Sequence, residues 1–179
     1  MKIRLAADLQ TDSIVDGLGI RTVIWTQGCS HNCPNCHNPG THDFDGGELV
    51  DIEDVIEAIE DLSGQDGVTF SGGDPMFQPK QCAYLAKKIH ELGMNVWAYT
   101  GFTFEELLDG SNDILEFLSE IDVLIDGKFD PSKKSLDLQF RGSSNQRIID
   151  VPKSLENHET ILFNLNKKTE IKKKTNIYI

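Results

Sequence analysis

Apolar and polar positions along this chain follow two alternating periods. Residues 22–26, Thr-Val-Ile-Trp-Thr, form a short run dominated by β-branched and aromatic side chains. Residues 67–71, 94–100 and 121–125 form three more runs of this kind. Runs of that length and composition read as buried strands. Between them the spacing lengthens to a helical period. Over residues 51–63, Ile52, Val55, Ile56, Ile59 and Leu62 share one face, while Glu53, Asp54, Glu57 and Glu60 lie on the opposite one. Residues 79–92 repeat this pattern with Cys82, Leu85, Ala86, Ile89 and Leu92, which makes Cys82 a core thiol. Pro79 suits a first helical turn, and Gly93 stands where a helix-ending glycine is expected. Shorter helical turns are expected at 104–108 and 112–119. A short edge strand is expected at 3–5, a loop at 10–21, irregular chain at 38–47, and strand-like pieces at 136–140 and 147–151.

Strands that alternate with helices predict βα units and a mainly parallel sheet in an α/β fold. A complete eight-unit barrel takes about 250 residues. This chain has 179 and shows four clear units. A partial, open β/α barrel fits that length, and a doubly wound sheet has the same signature. No internal repeat or linker divides the chain. One domain is expected over residues 1–163, followed by a lysine-rich, flexible tail over residues 164–179.

Composition narrows the class. Hydrophobic residues make up 39% and charged residues 26%, ordinary for a globular protein. No apolar run approaches the ~18 residues that span a bilayer. The start, Met1-Lys2-Ile3-Arg4-Leu5-Ala6-Ala7-Asp8, is too short and too soon acidic for a signal peptide. Clustered cysteines without an export signal fit a reducing cytoplasm. The net charge is −12, and residues 164–179 hold five lysines and one glutamate, or +4, so the remainder carries −16. Such a body repels nucleic acid phosphates, which excludes direct nucleic acid binding.

The candidate chemistry is concentrated in Gly28-Cys29-Ser30-His31-Asn32-Cys33-Pro34-Asn35-Cys36-His37-Asn38. Three of the four cysteines lie here, spaced Cys-x3-Cys-x2-Cys directly after the first core strand. Thiolates are soft ligands that suit iron or zinc. A closed zinc site needs four ligands, and a simple 4Fe–4S carrier usually has four thiolates. Three leave one iron open to a substrate or cofactor. A disulfide with a spare thiol, or zinc completed by His31, His37 or His42, are the alternatives. A second loop, Ser71-Gly72-Gly73-Asp74-Pro75, follows the second strand. Its glycines let backbone approach a ligand closely, and Asp74 can accept hydrogen bonds from an ammonium. Both loops follow strands, the end of a parallel sheet that carries active sites. Taken alone, Gly-Gly-Asp-Pro is a turn. No Ser-His-Asp signature, Walker loop or dinucleotide fingerprint appears.

The cysteine spacing resembles the cluster motif of the radical S-adenosylmethionine enzymes. Asp16-Gly17-Leu18-Gly19-Ile20-Arg21, followed by Gln27-Gly28 and the cysteine loop, is similar to the branch that activates anaerobic ribonucleoside-triphosphate reductase. Many radical enzymes carry an aromatic residue before the third cysteine. The Asn35 found here agrees with that branch and less with pyruvate formate-lyase activase. Asp126-Gly127-Lys128-Phe129 and Phe140-Arg141-Gly142-Ser143-Ser144-Asn145-Gln146-Arg147 also resemble the branch, without an assignable role. The resemblance favours the partial barrel. It implies a 4Fe–4S cluster on Cys29, Cys33 and Cys36, and S-adenosylmethionine chelating the open iron. Gly72, Gly73 and Asp74 would hold the methionine amino group, and the backbone of Asn35-Cys36-His37 would lie along the adenine. A flavodoxin or ferredoxin would supply an electron, the S–C5′ bond would break, and the 5′-deoxyadenosyl radical would take hydrogen from a glycine Cα of the reductase. No side-chain acid or base is needed. An activase of another glycyl radical enzyme, a small-molecule radical enzyme, and a non-enzymatic zinc or electron-transfer protein remain open alternatives.

Overall fold

The structure, a computed structural model, describes residues 1–166. Its core is a parallel sheet of β3 (Arg21–Thr26), β5 (Gly67–Gly72), β6 (Asn95–Tyr99) and β7 (Val123–Asp126). Helices α1 (Ile52–Glu60) and α2 (Pro79–Glu91), then the pair α3 (Phe104–Leu108) and α4 (Asn112–Ser119), make the three crossovers. Antiparallel strands extend both sides. On one side lie β1 (Lys2–Leu5) and then β4 (Glu48–Asp51); on the other lies β8 (Arg147–Asp150), which leads into α5 (Val151–Asn157). The spatial order is β4-β1-β3-β5-β6-β7-β8, with β2 (Gln10–Ser13) paired to β3 off this path. The two ends of this order do not pair, so the sheet is an open partial barrel.

The strand period explains the two faces. Val68 and Phe70, Val96 and Ala98, and Leu124 face the helices and pack with Val55, Ile59, Leu85, Ile89, Phe117 and Leu118. Each aliphatic side chain fully buried there contributes about 1.5–3 kcal/mol. Trp97, Val123, Ile125 and Ile148 form a smaller cluster with Tyr99, Phe140, Phe163 and Leu165 packed against it. Helix starts are specified locally: Thr103 and Glu106 form a capping box on α3, and the Asp150 side chain accepts from Lys153 N on α5.

Three expectations change. Residues 3–5 form a strand inside the sheet rather than at its edge, because β4 pairs outside β1 and takes the edge. Part of the expected loop 10–21 is β2. Residues 136–140 form turns rather than a strand. Beyond these, helix α5 starts at Val151, in a stretch for which the sequence predicted no helix or strand. Leu165 packs on the Trp97 cluster, while the lysines of the expected tail lie outside the described residues. No helix among the described residues is long and apolar enough to cross a membrane.

Arg21 is fully buried. Its guanidinium donates to Thr69 Oγ1 at 2.6 Å, Asn95 Oδ1 at 2.8 Å and the carbonyls of Val68 and Leu18, at 2.7 and 3.1 Å. It also sits 5.1 Å from the Trp97 ring centroid. Neutral acceptors thus hold it. Burial lowers its pKa to about 10, so it stays charged at neutral pH. A Cβ on Gly17, whose φ is +139°, would lie 2.7 Å from Arg21 Cδ and 2.9 Å from Trp97. Within this stretch Gly17 and the Leu18 carbonyl pack against Arg21, Gly19 lies against Asp66, and Asp16 lines the cleft described below.

Candidate active site

The strands β3, β5 and β6 run in parallel, so the loops after them converge. They build one cleft of about 690 Å3, lined by Cys29, Cys33, Cys36 and His37 from the first loop and by Gly72, Gly73 and Asp74 from the second. The cysteine loop has no helix or strand of its own. Backbone bonds hold it instead: Gln27 N to Arg4 O at 3.0 Å, Gly28 N to Thr41 O at 2.8 Å, Cys29 N to His42 O at 3.1 Å and Cys36 N to Cys33 O at 3.1 Å. Its bends fall at Asn32 and Asn35, with φ of 54° and 56°, a region asparagine tolerates better than most residues.

All four cysteines are free, with Cys29, Cys33 and Cys36 half-buried and Cys82 buried in α2. Burial pushes the Cys29 thiol up to about 11. A metal bound there must displace a proton. No three His, Cys, Asp or Glu side chains among the described residues converge on a single-ion site. A four-iron cube carries its thiolates on separate irons, so it requires only that the three line one cavity, as they do. The donor set therefore fits a cluster with three protein ligands.

The Gly72-Gly73-Asp74 turn is pressed against the cysteine loop. Gly73 N donates to Thr26 O at 2.7 Å and Asp74 N to Gly28 O at 3.0 Å. A Cβ on Gly73 would lie 2.4 Å from the Gly28 carbonyl oxygen, so only glycine allows this approach. The Asp74 carboxylate is 1% exposed. Its Oδ1 accepts from Met76 N at 2.9 Å. Its Oδ2 accepts from Thr100 Oγ1 and Gly101 N, each at 2.8 Å, and from His31 Nε2 at 2.7 Å. His31 Nε2 is thereby engaged, and its side chain is only 7% exposed; its ring packs edge-on to Phe102, with centroids 4.5 Å apart.

The two stretches without an assigned role fold against each other as the facing wall. Gln146 Oε1 accepts from Gly142 N at 3.0 Å and Ser143 N at 3.2 Å, and its Nε2 donates to Gly127 O at 3.0 Å. Asn145 Nδ2 donates to Lys128 O at 2.8 Å. Arg147 pairs with buried Asp126, which accepts from Phe104 N at 2.8 Å, and forks onto Glu105. That pairing lowers the Glu105 carboxyl to about 2 and raises the Arg147 pKa. The wall reaches the cysteine loop where Phe129 packs at a tilt against His37, centroids 4.7 Å apart.

Of the residues expected to hold the cluster or its cofactor, Asn35 alone does not line the cleft; it is exposed. Trp25, Tyr99 and Thr100 line it and were not foreseen. Their signal was their place at the ends of β3 and β6, next to the loops that build the cleft.

Residues 15–149 match the family model described as a 4Fe-4S single cluster domain. The anaerobic ribonucleoside-triphosphate reductase-activating protein of Pasteurella multocida is 37% identical over 146 residues, 75% of this chain and 90% of that protein. Its counterpart in Salmonella typhimurium is 35% identical over 74% of this chain and 90% of its own length. The protein of the same name from Enterobacteria phage T4 is 33% identical over 75% of this chain and 86% of its own. Among solved structures, QueE from Escherichia coli gives a TM-score of 0.47 at 15% identity, over 57% of this chain and 54% of that one.

Proposed function

The chain belongs to the family of anaerobic ribonucleoside-triphosphate reductase-activating proteins, and from that premise we propose that it installs a glycyl radical on such a reductase. The observation that carries this reading is the convergence of three free thiols and the Gly72-Gly73-Asp74 turn on one open cleft, within a 4Fe–4S domain. Cys29, Cys33 and Cys36 would hold the cluster, leaving one iron for S-adenosylmethionine. When bound, cluster and cofactor would supply the one-electron reductive cleavage that lets a hydrogen atom be taken from a glycine of the reductase.

The protein's own residues position and enclose. The Gly72-Gly73-Asp74 turn takes the methionine end; Asp74 contributes the negative field for its ammonium, since four donors already engage the carboxylate oxygens. The backbone of Cys36 and His37, which line the cleft, would lie along the adenine, with Asn35 at the exposed bend beside them. Phe129 steadies His37 from the far wall. No side chain is assigned as general acid or base. A flavodoxin or ferredoxin in the cytoplasm would donate the electron.

The test is anaerobic reconstitution with iron and sulfide, followed by mixing with S-adenosylmethionine, a reductant and the cognate reductase. A doublet glycyl radical in electron paramagnetic resonance is expected on the reductase. Efficient cofactor cleavage that never yields that radical would refute the reading and favour a small-molecule substrate. Metal binding without cleavage would leave a zinc or electron-transfer protein.

A further inference from the structure

Among the described residues, one buried side-chain polar atom has no hydrogen-bond partner: Nε of Arg141. Buried donors are nearly always paired, and an orphan loses its hydration without compensation. The same guanidinium makes a single hydrogen bond, from Nη1 to the Gln146 carbonyl at 2.8 Å, and no ion pair among the described residues. Carboxylates are not scarce, because the chain has 29 acidic residues against 17 lysines and arginines. The neighbouring Arg147 holds two of them, and Arg21 is held by five acceptors. Arg141 differs from both in that it lines the cleft.

Its setting is fixed rather than loose. On one side the Phe140 carbonyl accepts from Tyr99 Oη at 2.8 Å, and on the other Gln146 Oε1 clamps Gly142 N and Ser143 N. The Nη1 bond then orients the guanidinium plane. What remains without an acceptor is the Nε–Nη2 edge, two parallel donors in the arrangement that grips an oxygen side-on. At the same cleft, Val15 and Leu136 are 68% and 92% exposed, an apolar lip suited to the side chains of an entering polypeptide.

We infer that Arg141 binds the substrate polypeptide, its Nε–Nη2 edge gripping a main-chain carbonyl beside the glycine that is brought into the cleft. This rests on the glycyl radical reading above. A glycine has no side chain, so next to its Cα only peptide groups offer polar handles. A guanidinium supplies fixed donors at any working pH. Unlike a thiol or phenol, it has no weak bond to hydrogen that a radical would attack first.

The test compares Arg141→Lys, Arg141→Gln and the unmodified protein, each reconstituted with its cluster. Unchanged melting temperature and cluster absorbance would show that the variants are folded. S-adenosylmethionine affinity by calorimetry is expected to stay within about twofold. The kcat/KM for radical formation on the reductase is expected to fall about 10- to 100-fold, as for loss of a charge-assisted hydrogen bond. Lysine should recover part of this by returning one donor. Unchanged activation in both variants would overturn the inference, and so would a matching loss of cofactor affinity, which would place Arg141 on the cofactor. If the unmodified protein cleaves the cofactor yet never forms the radical, the underlying reading fails instead.

Discussion

A carboxylate that already accepts from four donors has little left to give a ligand. Asp74 is in that position, and His31, a potential metal ligand by its place in the loop, is one of the four. The surroundings of single side chains also separate the cysteines. Cys29, Cys33 and Cys36 face one cleft, whereas Cys82 is fully buried among the α2 core contacts. Replacing any of the first three with alanine should abolish the 4Fe–4S absorbance and cofactor cleavage. Cys82→Ala should keep both and lower stability by about 1 kcal/mol, the cost of a small buried group. Iron analysis and visible spectra of the four reconstituted variants decide this. Cluster loss in folded Cys82→Ala would reveal a fourth ligand.

Elements meet at this site through backbone, which makes two further outcomes specific. The turn after β5 touches the cysteine loop at Gly73, where an added Cβ would lie 2.4 Å from the Gly28 oxygen. Gly73→Val should therefore displace the cysteine loop and impair cluster assembly together with S-adenosylmethionine binding. A variant that keeps a full cluster and loses only the cofactor would contradict this coupling. The wall between β7 and β8 depends on Arg147, which joins Asp126, 1% exposed, to Glu105. Removing the partner of a buried carboxylate leaves its charge uncompensated, so Arg147→Gln should melt below the unmodified protein at pH 7. Glu105 is depressed from 4.5 to about 2, chiefly by its hydrogen bonds to Arg147. A depressed carboxyl contributes stability that is present above the unfolded value, near 4.5, and is lost as pH falls toward 2. Thermal melts from pH 6 to 2 should show a steeper acid loss in the unmodified protein than in Arg147→Gln.

At the scale of the whole molecule, charge and openness set how the protein meets its partner. The chain carries −12 overall, so a docking face on the reductase should be at least partly basic. Association measured from 0.1 to 1 M salt should weaken steadily, as the screening length falls from about 10 Å to about 3 Å. Affinity independent of salt would mean that apolar contacts, such as those at the Val15 and Leu136 lip, dominate. The sheet ends at β4 and β8 without closing, which leaves the cleft accessible to a polypeptide segment. A small metabolite, by contrast, is usually held in an enclosed pocket.

How much of this was legible follows from the range of the forces involved. The parallel core strands, α1, α2 and the clustered thiols are local patterns, because period, capping and ligand spacing act within a few residues. The Gly-Gly-Asp turn was legible as a site only beside the cysteine motif. Strand β4 was missed because Glu48-Leu49-Val50-Asp51 is short and mostly exposed, and its partner β1 lies more than forty residues away. That pairing is also what moved residues 3–5 from the edge to the interior. Tertiary contact alone decided that Asp74 is shared with His31, Thr100 and Gly101, which ties three loops together. It decided likewise that residues 126–129 and 141–147 form one wall, and that Arg141 reaches the cleft with a donor edge left over. The amino-acid order specified which chemical groups exist and which local shapes carry them. Which groups become saturated, and which stay open to a ligand, depended on neighbours that only the sheet topology brings within hydrogen-bonding distance.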